Sequence, residues 1–264
     1  MKVVLFCGGL GTRLRELTGE IPKPMVAIGY RPILWHLMKY YAHYGHKEFV
    51  LCLGYKGDVI KKFFLHYEEW LSNDFSLTAG GKELHLENSD IADWKITFVD
   101  TGLHANIGQR LMAVRRYVQD DEIFLANYSD GLTDMYLPAM LERFRTSGMV
   151  ASFLAVRPSQ SFHMVSAGPD GVVTSIRSVQ ESDLLINGGF FALRREIFDY
   201  MQPGDELVLA PFRRLMAERK LVAYRSDRFW CMDTFKEQQE LTDMYNSGSA
   251  PWEVWKREQP GRES

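Results

Sequence analysis

The chain opens on a short apolar run, Lys2-Val3-Val4-Leu5-Phe6-Cys7, that stops abruptly at Gly8-Gly9-Leu10-Gly11-Thr12-Arg13. A run so short and so uniformly apolar predicts a strand buried on both faces, as in a parallel sheet covered by helices. Gly8, Gly9 and Gly11 then follow the strand, where a backbone without Cβ can approach a ligand or take positive φ. Exposed N–H groups at such a turn form an anion nest, and Arg13 and Lys23 add fixed positive charge. Lys23 lies in Pro22-Lys23-Pro24-Met25, where two rings stiffen the backbone that aims its ammonium. This combination suits a polyphosphate. The stretch is not a Walker loop, which needs Gly-Lys-Ser/Thr, nor a dinucleotide fingerprint, since Gly9-Leu10-Gly11 is followed by Leu14 where a third glycine belongs. A tight turn without a ligand is the other reading of the glycines alone.

Strand-like runs recur at Val3–Cys7, Phe49–Leu53, Ile96–Val99, Ile123–Ala126 and Ala151–Val156. Helical patterns lie between most of them, at Ile33–Tyr44, Asp58–Leu71, Ile107–Val118 and Leu137–Ser147. This alternation predicts right-handed βαβ units and a mainly parallel sheet, with the glycine turn at the carboxyl edge that binds ligands in such folds. Later segments read differently. Met164–Ala167 and Val172–Val179 flank Gly168-Pro169-Asp170-Gly171, a hairpin signal. Phe190–Leu193, Leu221–Tyr224 and Phe229–Met232 are further short strands, and Arg194–Met201 and Leu209–Arg219 are helix candidates. Phe235–Tyr245 is another, with Thr234 and Glu237 as a capping box. No linker divides the 264 residues, so a single domain is expected: a nucleotide-binding core over 1–157 and an extension with a C-terminal helix over 158–264. Asn73–Trp94 breaks the rhythm and predicts a projecting hairpin or oligomer arm, with a surface loop equally consistent; a homo-oligomer is expected.

A formal net charge of −3 leaves no basic footprint, which argues against nucleic-acid binding, so a substrate anion must meet local cations. Cys7, Cys52 and Cys231 are scattered without a C-x-x-C pair, which suggests neither zinc nor a disulfide framework, and Cys7 and Cys52, in apolar strand-like runs, read as buried thiols. No apolar run approaches the roughly 20 residues that span a bilayer, and the first one is too short for a signal peptide. No membrane association and a cytoplasmic location are expected.

Asp130, in Tyr128-Ser129-Asp130-Gly131, follows a strand where a carboxylate can hold a divalent ion over a ligand. A simple Asp-Gly turn is the alternative. Asp233, in Met232-Asp233-Thr234, is the natural second ligand, or else a charge at a helix N-terminus; both roles are compatible. Asn187-Gly188-Gly189 offers an amide and bare backbone to sugar hydroxyls, or forms a plain Asn-Gly turn. Arg110 is a ligand contact or a solvated helix arginine, and His36 and His43 read as packing or surface groups.

Gly8-Gly9-Leu10-Gly11-Thr12-Arg13-Leu14 with Pro22-Lys23-Pro24-Met25 resembles the signature of sugar-1-phosphate nucleotidyltransferases, in particular the glucose-1-phosphate cytidylyltransferase branch. Further matches run in order along the chain: Pro32–His36, Gly54–Gly57, Val99–Gly102, Tyr128–Gly131, Asn187–Phe191, Met232–Thr234 and Ala250–Trp255. The resemblance implies an α/β fold of glycosyltransferase-A type, Rossmann-like, with a mainly parallel sheet flanked by helices and a small antiparallel extension on the sugar side. It implies transfer of a nucleotidyl group, CTP favoured, to a sugar-1-phosphate with release of pyrophosphate. Arg13, Lys23 and Asp130 would be catalytic. Gly8, Gly9, Gly11, Thr12, Arg13, Lys23, Thr101 and Arg110 would bind nucleotide. Asn187, Gly188 and Glu181 would bind sugar, and Asp130 and Asp233 would hold Mg²⁺ or Mn²⁺.

Two positions depart from the family pattern. Where the family carries Glu-Lys-Pro, with a lysine on the sugar phosphate, this chain has Glu181-Ser182-Asp183, and a Glu-Pro pair reads Ala210-Pro211. Losing an ammonium beside two anionic reactants removes charge stabilisation worth about 10²–10³ in rate. Arg157, Arg177 or Arg194 is a possible replacement. The loss also admits a metal-dependent nucleotide-sugar mutase, such as a pyranose–furanose isomerase, or a non-catalytic nucleotide-sugar sensor on the same scaffold.

Overall fold

The computed structural model describes residues 1–9, 21–158 and 162–257. An eight-stranded sheet is built from β1 (Lys2–Phe6), β2 (Glu48–Leu53), β3 (Lys95–Asp100), β4 (Ile123–Tyr128), β5 (Ala151–Val156), β6 (Ile186–Asn187), β7 (Phe191–Arg194) and β8 (Leu221–Ser226). Parallel pairing joins β3 to β2, β2 to β1 and β1 to β4. Antiparallel β7 then links β4 to β5, which also pairs with β6 and, in parallel, with β8. The sheet is thus mainly parallel, as the strand–helix alternation predicts. It crosses the 157/158 boundary, because three of its strands come from the second half of the chain. His163–Ala167 with Val173–Ser178 makes a separate hairpin there.

The central strands β1, β2 and β4 are apolar along nearly their whole length because both sheet faces are covered there. Val3, Leu5, Phe49, Leu51 and Leu125 point into one core, and Val4, Phe6, Val50, Phe124 and Ala126 into the other. That period-two division of continuous apolar runs is what a doubly covered strand requires. On the first face lie helices α1 (Ile33–His43), α4 (Leu137–Ser147) and α6 (Phe235–Asn246). On the second lie α3 (Ile107–Ala113) and α5 (Ala210–Ala217). The helical pattern expected over Asp58–Leu71 ends earlier, as α2 (Gly57–Leu65), with a 3₁₀ turn at Glu69–Leu71. Arg194–Met201 also forms a 3₁₀ segment, Arg195–Tyr200, rather than an α-helix.

The break at Asn73–Trp94 is a hairpin, Phe75–Thr78 against Glu83–Leu86, whose strand residues are all exposed. Buried polar groups fix its root. Asp90 accepts hydrogen bonds from Lys39 Nζ (2.7 Å), the Tyr67 hydroxyl (3.0 Å) and Asn73 Nδ2 (3.0 Å). The Arg31 guanidinium stacks over Tyr67 at 4.2 Å and donates to Ser72 Oγ. A carboxylate removed from water needs such a full set of donors.

His36 is buried in α1 among Trp35, Tyr245, Trp252 and Trp255, its Nε2 3.0 Å from the Ile28 carbonyl. It is a packing group, as expected. Burial pushes its pKa down from 6.5 to about 4, so it folds neutral. The unfolded chain then binds the extra proton between those values, and stability is lost as pH falls from 6.5 towards 4. Urea unfolding at pH 7 and pH 5 should show a loss of about 2 kcal/mol from this group, and His36→Gln should flatten the difference by that amount. His46, also held down to about 4 by burial, adds to the same window and remains in the variant. An unchanged pH difference in His36→Gln would refute the assignment.

Candidate active site

The carboxyl ends of β1, β2, β3 and β4 share one edge, and the candidate residues gather there. β1 runs on through Cys7, whose N–H donates to the Cys52 carbonyl at 2.9 Å, and delivers Gly8 and Gly9. Both thiols are buried, and burial pushes Cys7 up to about 12, so it is an inert packing group. Gly11, Thr12 and Arg13 lie outside the described residues.

Arg110 explains why position 8 is glycine. Its guanidinium is buried under the strand ends and donates to the carbonyls of Gly8 (3.0 Å) and Leu53 (3.1 Å) and to Thr101 Oγ1 (2.7 Å). Thr101 Oγ1 in turn donates to the Leu53 carbonyl at 2.8 Å. A Cβ on Gly8 would stand 2.0 Å from Arg110 Nη1. The solvated-helix reading of Arg110 is therefore corrected: α3 turns inward at this residue and ties three strand ends together. Burial lowers its pKa, and the carbonyl dipoles and hydroxyl oxygen around it satisfy the charge.

Asp130 and Asp233 meet through a second, small ladder. Gly131–Leu132 pairs antiparallel with Trp230–Cys231, and the Met232 N–H donates to the Asp130 carbonyl at 3.0 Å. Asp233 directly precedes Thr234, the N-cap of α6, and its N–H donates to Glu237 Oε2 at 2.8 Å. Thr234 and Glu237 form the expected capping box, so the helix start fixes where Asp233 stands.

Lys23 completes the group. Its 3₁₀ turn, Lys23–Met25, follows Pro22 and contains buried Pro24. From this support Nζ reaches Asp130 Oδ2 and Asp233 Oδ1, both at 2.5 Å, and its side chain is only 14% exposed. Burial opposes the ammonium's charge. The charge and hydrogen bonds of the two aspartates outweigh burial and raise the Lys23 pKa above its ordinary value.

The Asn-Gly-Gly turn docks beside them. Asn187 Nδ2 donates to the Tyr128 hydroxyl at 3.2 Å, and Asn187 Oδ1 accepts from the Gly189 N–H at 2.9 Å. Gly189 has φ +77°, and a Cβ there would lie 2.3 Å from Asn127 Oδ1. The turn is thus an Asx turn whose amide also points at the residue two before Asp130. Burial pushes the Tyr128 phenol up to about 12, so it remains a neutral donor. A cavity of about 240 Å³ opens in front of these groups, lined among others by Gly9, Lys23, Asn106, Tyr128, Asp130 and Glu206.

Sequence reasoning missed Asn106 and Glu206. Asn106 caps α3 in a reciprocal box with Gln109, a signal visible in Asn-x-x-Gln. Glu206 carries no such signal. It reaches the cavity because Gly108 lets the 205–207 backbone come close, a Cβ on Gly108 lying 2.2 Å from the Asp205 carbonyl oxygen, and Glu206 Oε2 accepts from the Ile107 N–H at 3.2 Å. Ser182 turns its hydroxyl onto the Val179 carbonyl at 2.6 Å. Glu181 ends the same 3₁₀ turn, Val179–Glu181. Of the replacement cations, Arg194 pairs with Glu122 near the start of β4, the opposite edge of the sheet. Arg177 lies in the separate hairpin. Arg157 directly follows β5 and pairs with Asp227 at 3.4 Å.

The donor set suits a divalent ion. Two hard carboxylate oxygens converge on one cation, the Lys23 ammonium, at distances slightly above the roughly 2.0–2.1 Å of a Mg²⁺–oxygen bond. No group of three or more His, Cys, Asp or Glu residues among the described residues forms a complete metal cage, so phosphate oxygens or water would have to fill the rest of a shell.

A family profile described as Nucleotidyl transferase matches residues 2–231. A probable glucose-1-phosphate cytidylyltransferase of Bacillus subtilis is 38% identical over 258 residues, 97% of this chain and 100% of that protein. A glucose-1-phosphate cytidylyltransferase of Salmonella typhimurium is 38% identical over 259 residues, with the same coverage. Among solved structures, a UDP-glucose pyrophosphorylase complexed with UDP-glucose superposes with TM-score 0.68 at 16% identity, covering 94% of this chain and 98% of its own. HddC from Yersinia pseudotuberculosis does so with TM-score 0.64 at 20% identity, covering 92% and 99%. These two show the shared fold.

Proposed function

This chain belongs to the sugar-1-phosphate nucleotidyltransferase family, and we propose that it transfers a cytidylyl group from CTP to glucose-1-phosphate with the help of Mg²⁺ or Mn²⁺. One observation carries the reading: Lys23, Asp130 and Asp233, far apart in sequence, converge at the edge where the glycine strand ends. The preference for CTP and glucose-1-phosphate rests on the two relatives similar from end to end.

In the reaction, a phosphate oxygen of the sugar-1-phosphate attacks the α-phosphorus of the triphosphate. A new P–O bond forms as the bond to pyrophosphate breaks, and the leaving group carries away the electron pair. Gly8 and Gly9 present bare backbone to the nucleotide, held in place from below by Arg110 and Thr101. Lys23 supplies positive charge for the α-phosphate. Tyr128 and Asn187 present an O–H and an amide to the sugar, and Arg157, which follows β5, is the candidate cation for its phosphate. Asp130 and Asp233 would hold the metal ion, which supplies charge neutralisation and alignment of the in-line groups. No side chain needs to act as a nucleophile. Arg13 and Thr12, on the triphosphate, complete the proposal by resemblance, as does Glu181 on the sugar. The exposed apolar hairpin Phe75–Leu86 supports self-association. No helix among the described residues is long and apolar enough to cross a membrane.

The test incubates the protein and Mg²⁺ with each nucleoside triphosphate and a panel of sugar-1-phosphates, and measures pyrophosphate. CTP with glucose-1-phosphate should give the fastest release. A parallel arm offers finished nucleotide-sugars and follows their anomeric protons by NMR. Absence of pyrophosphate with every pair, joined to new anomeric signals, would replace this reading with a mutase.

A further inference from the structure

Lys23 occupies the point where the two carboxylates converge. Its Nζ stands 2.5 Å from an oxygen of each, and 14% of its side chain is exposed. A divalent ion bonded to the same two oxygens would sit roughly 2.0–2.1 Å from them, too close to that nitrogen for both cations to coexist. One cation must leave when the other arrives.

We propose that Lys23 is the placeholder cation of the metal-free protein, so that the site admits the metal–nucleotide complex and resists the free ion. The proposal rests on the metal reading above. Metal-free, the ammonium offsets the repulsion between Asp130 and Asp233 and keeps them in register. An incoming divalent ion must displace it. Freed beside a doubly charged ion in a largely buried pocket, the ammonium is repelled unless an anion meets it. A triphosphate arriving with the metal would provide one if it enters the cavity that Lys23 already lines. The geometry therefore couples three events: metal entry, release of Lys23 from the aspartates and capture of its ammonium by phosphate. The prolines on either side of Lys23 leave the backbone fixed, so the exchange is a side-chain rotation and not a loop movement.

The test measures Mn²⁺ binding by electron paramagnetic resonance, with and without a non-hydrolysable CTP analogue. The wild-type protein should bind Mn²⁺ weakly alone and at least about tenfold more tightly with the analogue. Lys23→Met should bind Mn²⁺ alone about tenfold or more tighter than wild type, because no cation has to be displaced. Its coupling to the analogue should shrink correspondingly. Lys23→Gln is the second variant, and circular dichroism selects whichever folds as wild type does. Wild-type coupling together with unchanged or weaker Mn²⁺ binding by the folded variant alone would overturn the placeholder while leaving the metal reading intact. If wild type binds no Mn²⁺ even with the analogue, both fail.

Discussion

Asp130→Asn should lower kcat for pyrophosphate formation by about 10³-fold or more while leaving the fold in place. The carboxylate lies just past the end of β4, its side chain 31% exposed, and it pairs with the Lys23 ammonium. Neutralising it removes half of the negative charge that would hold the metal ion. The structural penalty is small, because a partly exposed ion pair contributes on the order of 1 kcal/mol or less. Asp233 remains within reach of Lys23 at 2.5 Å, so the ammonium keeps a partner. Pyrophosphate release and thermal melting, measured on the same preparation, separate the two effects. Activity within tenfold of wild type would remove Asp130 from the chemistry, and a collapse of melting temperature would make its role structural.

Arg110→Met should have the opposite signature, a large loss of stability. The guanidinium is buried, and it donates to two carbonyls and a hydroxyl at the ends of β1, β2 and β3. A methionine removes three charge-assisted hydrogen bonds, each worth about 1.5–3 kcal/mol, while the Leu53 carbonyl keeps its bonds from Thr101 and the Gly8 carbonyl its bond from the Tyr55 N–H. A total destabilisation of about 3 kcal/mol or more is expected, seen as a fall of roughly 10 °C in melting temperature. Nucleotide affinity should fall with it, because Gly8 loses the group that fixes its carbonyl. An unchanged melting temperature in Arg110→Met would show that these bonds are replaced by others.

The parallel part of the fold was legible because burial on both faces leaves a simple trace. Val3–Cys7, Phe49–Leu53 and Ile123–Ala126 are unbroken apolar runs, and the helical patterns between them imply right-handed βαβ units and a mainly parallel sheet. The second half was harder. Phe190–Leu193 and Leu221–Tyr224 read as loose short strands, yet the strands formed there, β7 and β8, lie in the central sheet. Their partners are chosen by non-local pairing, which no local period records. Lys23, Asp130 and Asp233 were legible as motif residues, but their convergence depends on a two-residue ladder invisible in sequence. Arg110 shows the same limit. Its spacing suited either a ligand contact or a solvent-facing charge, and only the burial of three strand ends decides that it ties them together.

The ladder between Gly131–Leu132 and Trp230–Cys231 also governs when the site can exist. It closes a chain segment of about a hundred residues with two residues of pairing at each end, so its formation must follow entropic closure of a long loop. β1, β2, β3 and β4 pair with one another without it. A partly folded chain can therefore own a complete nucleotide-side sheet and still lack the carboxylate pair. During synthesis, Asp130 waits for the last tenth or so of the described chain before it faces Asp233. A lesion that detaches residues 229–234 would part Asp233 from Asp130 and would also pull Met232 and Trp230 away from the core.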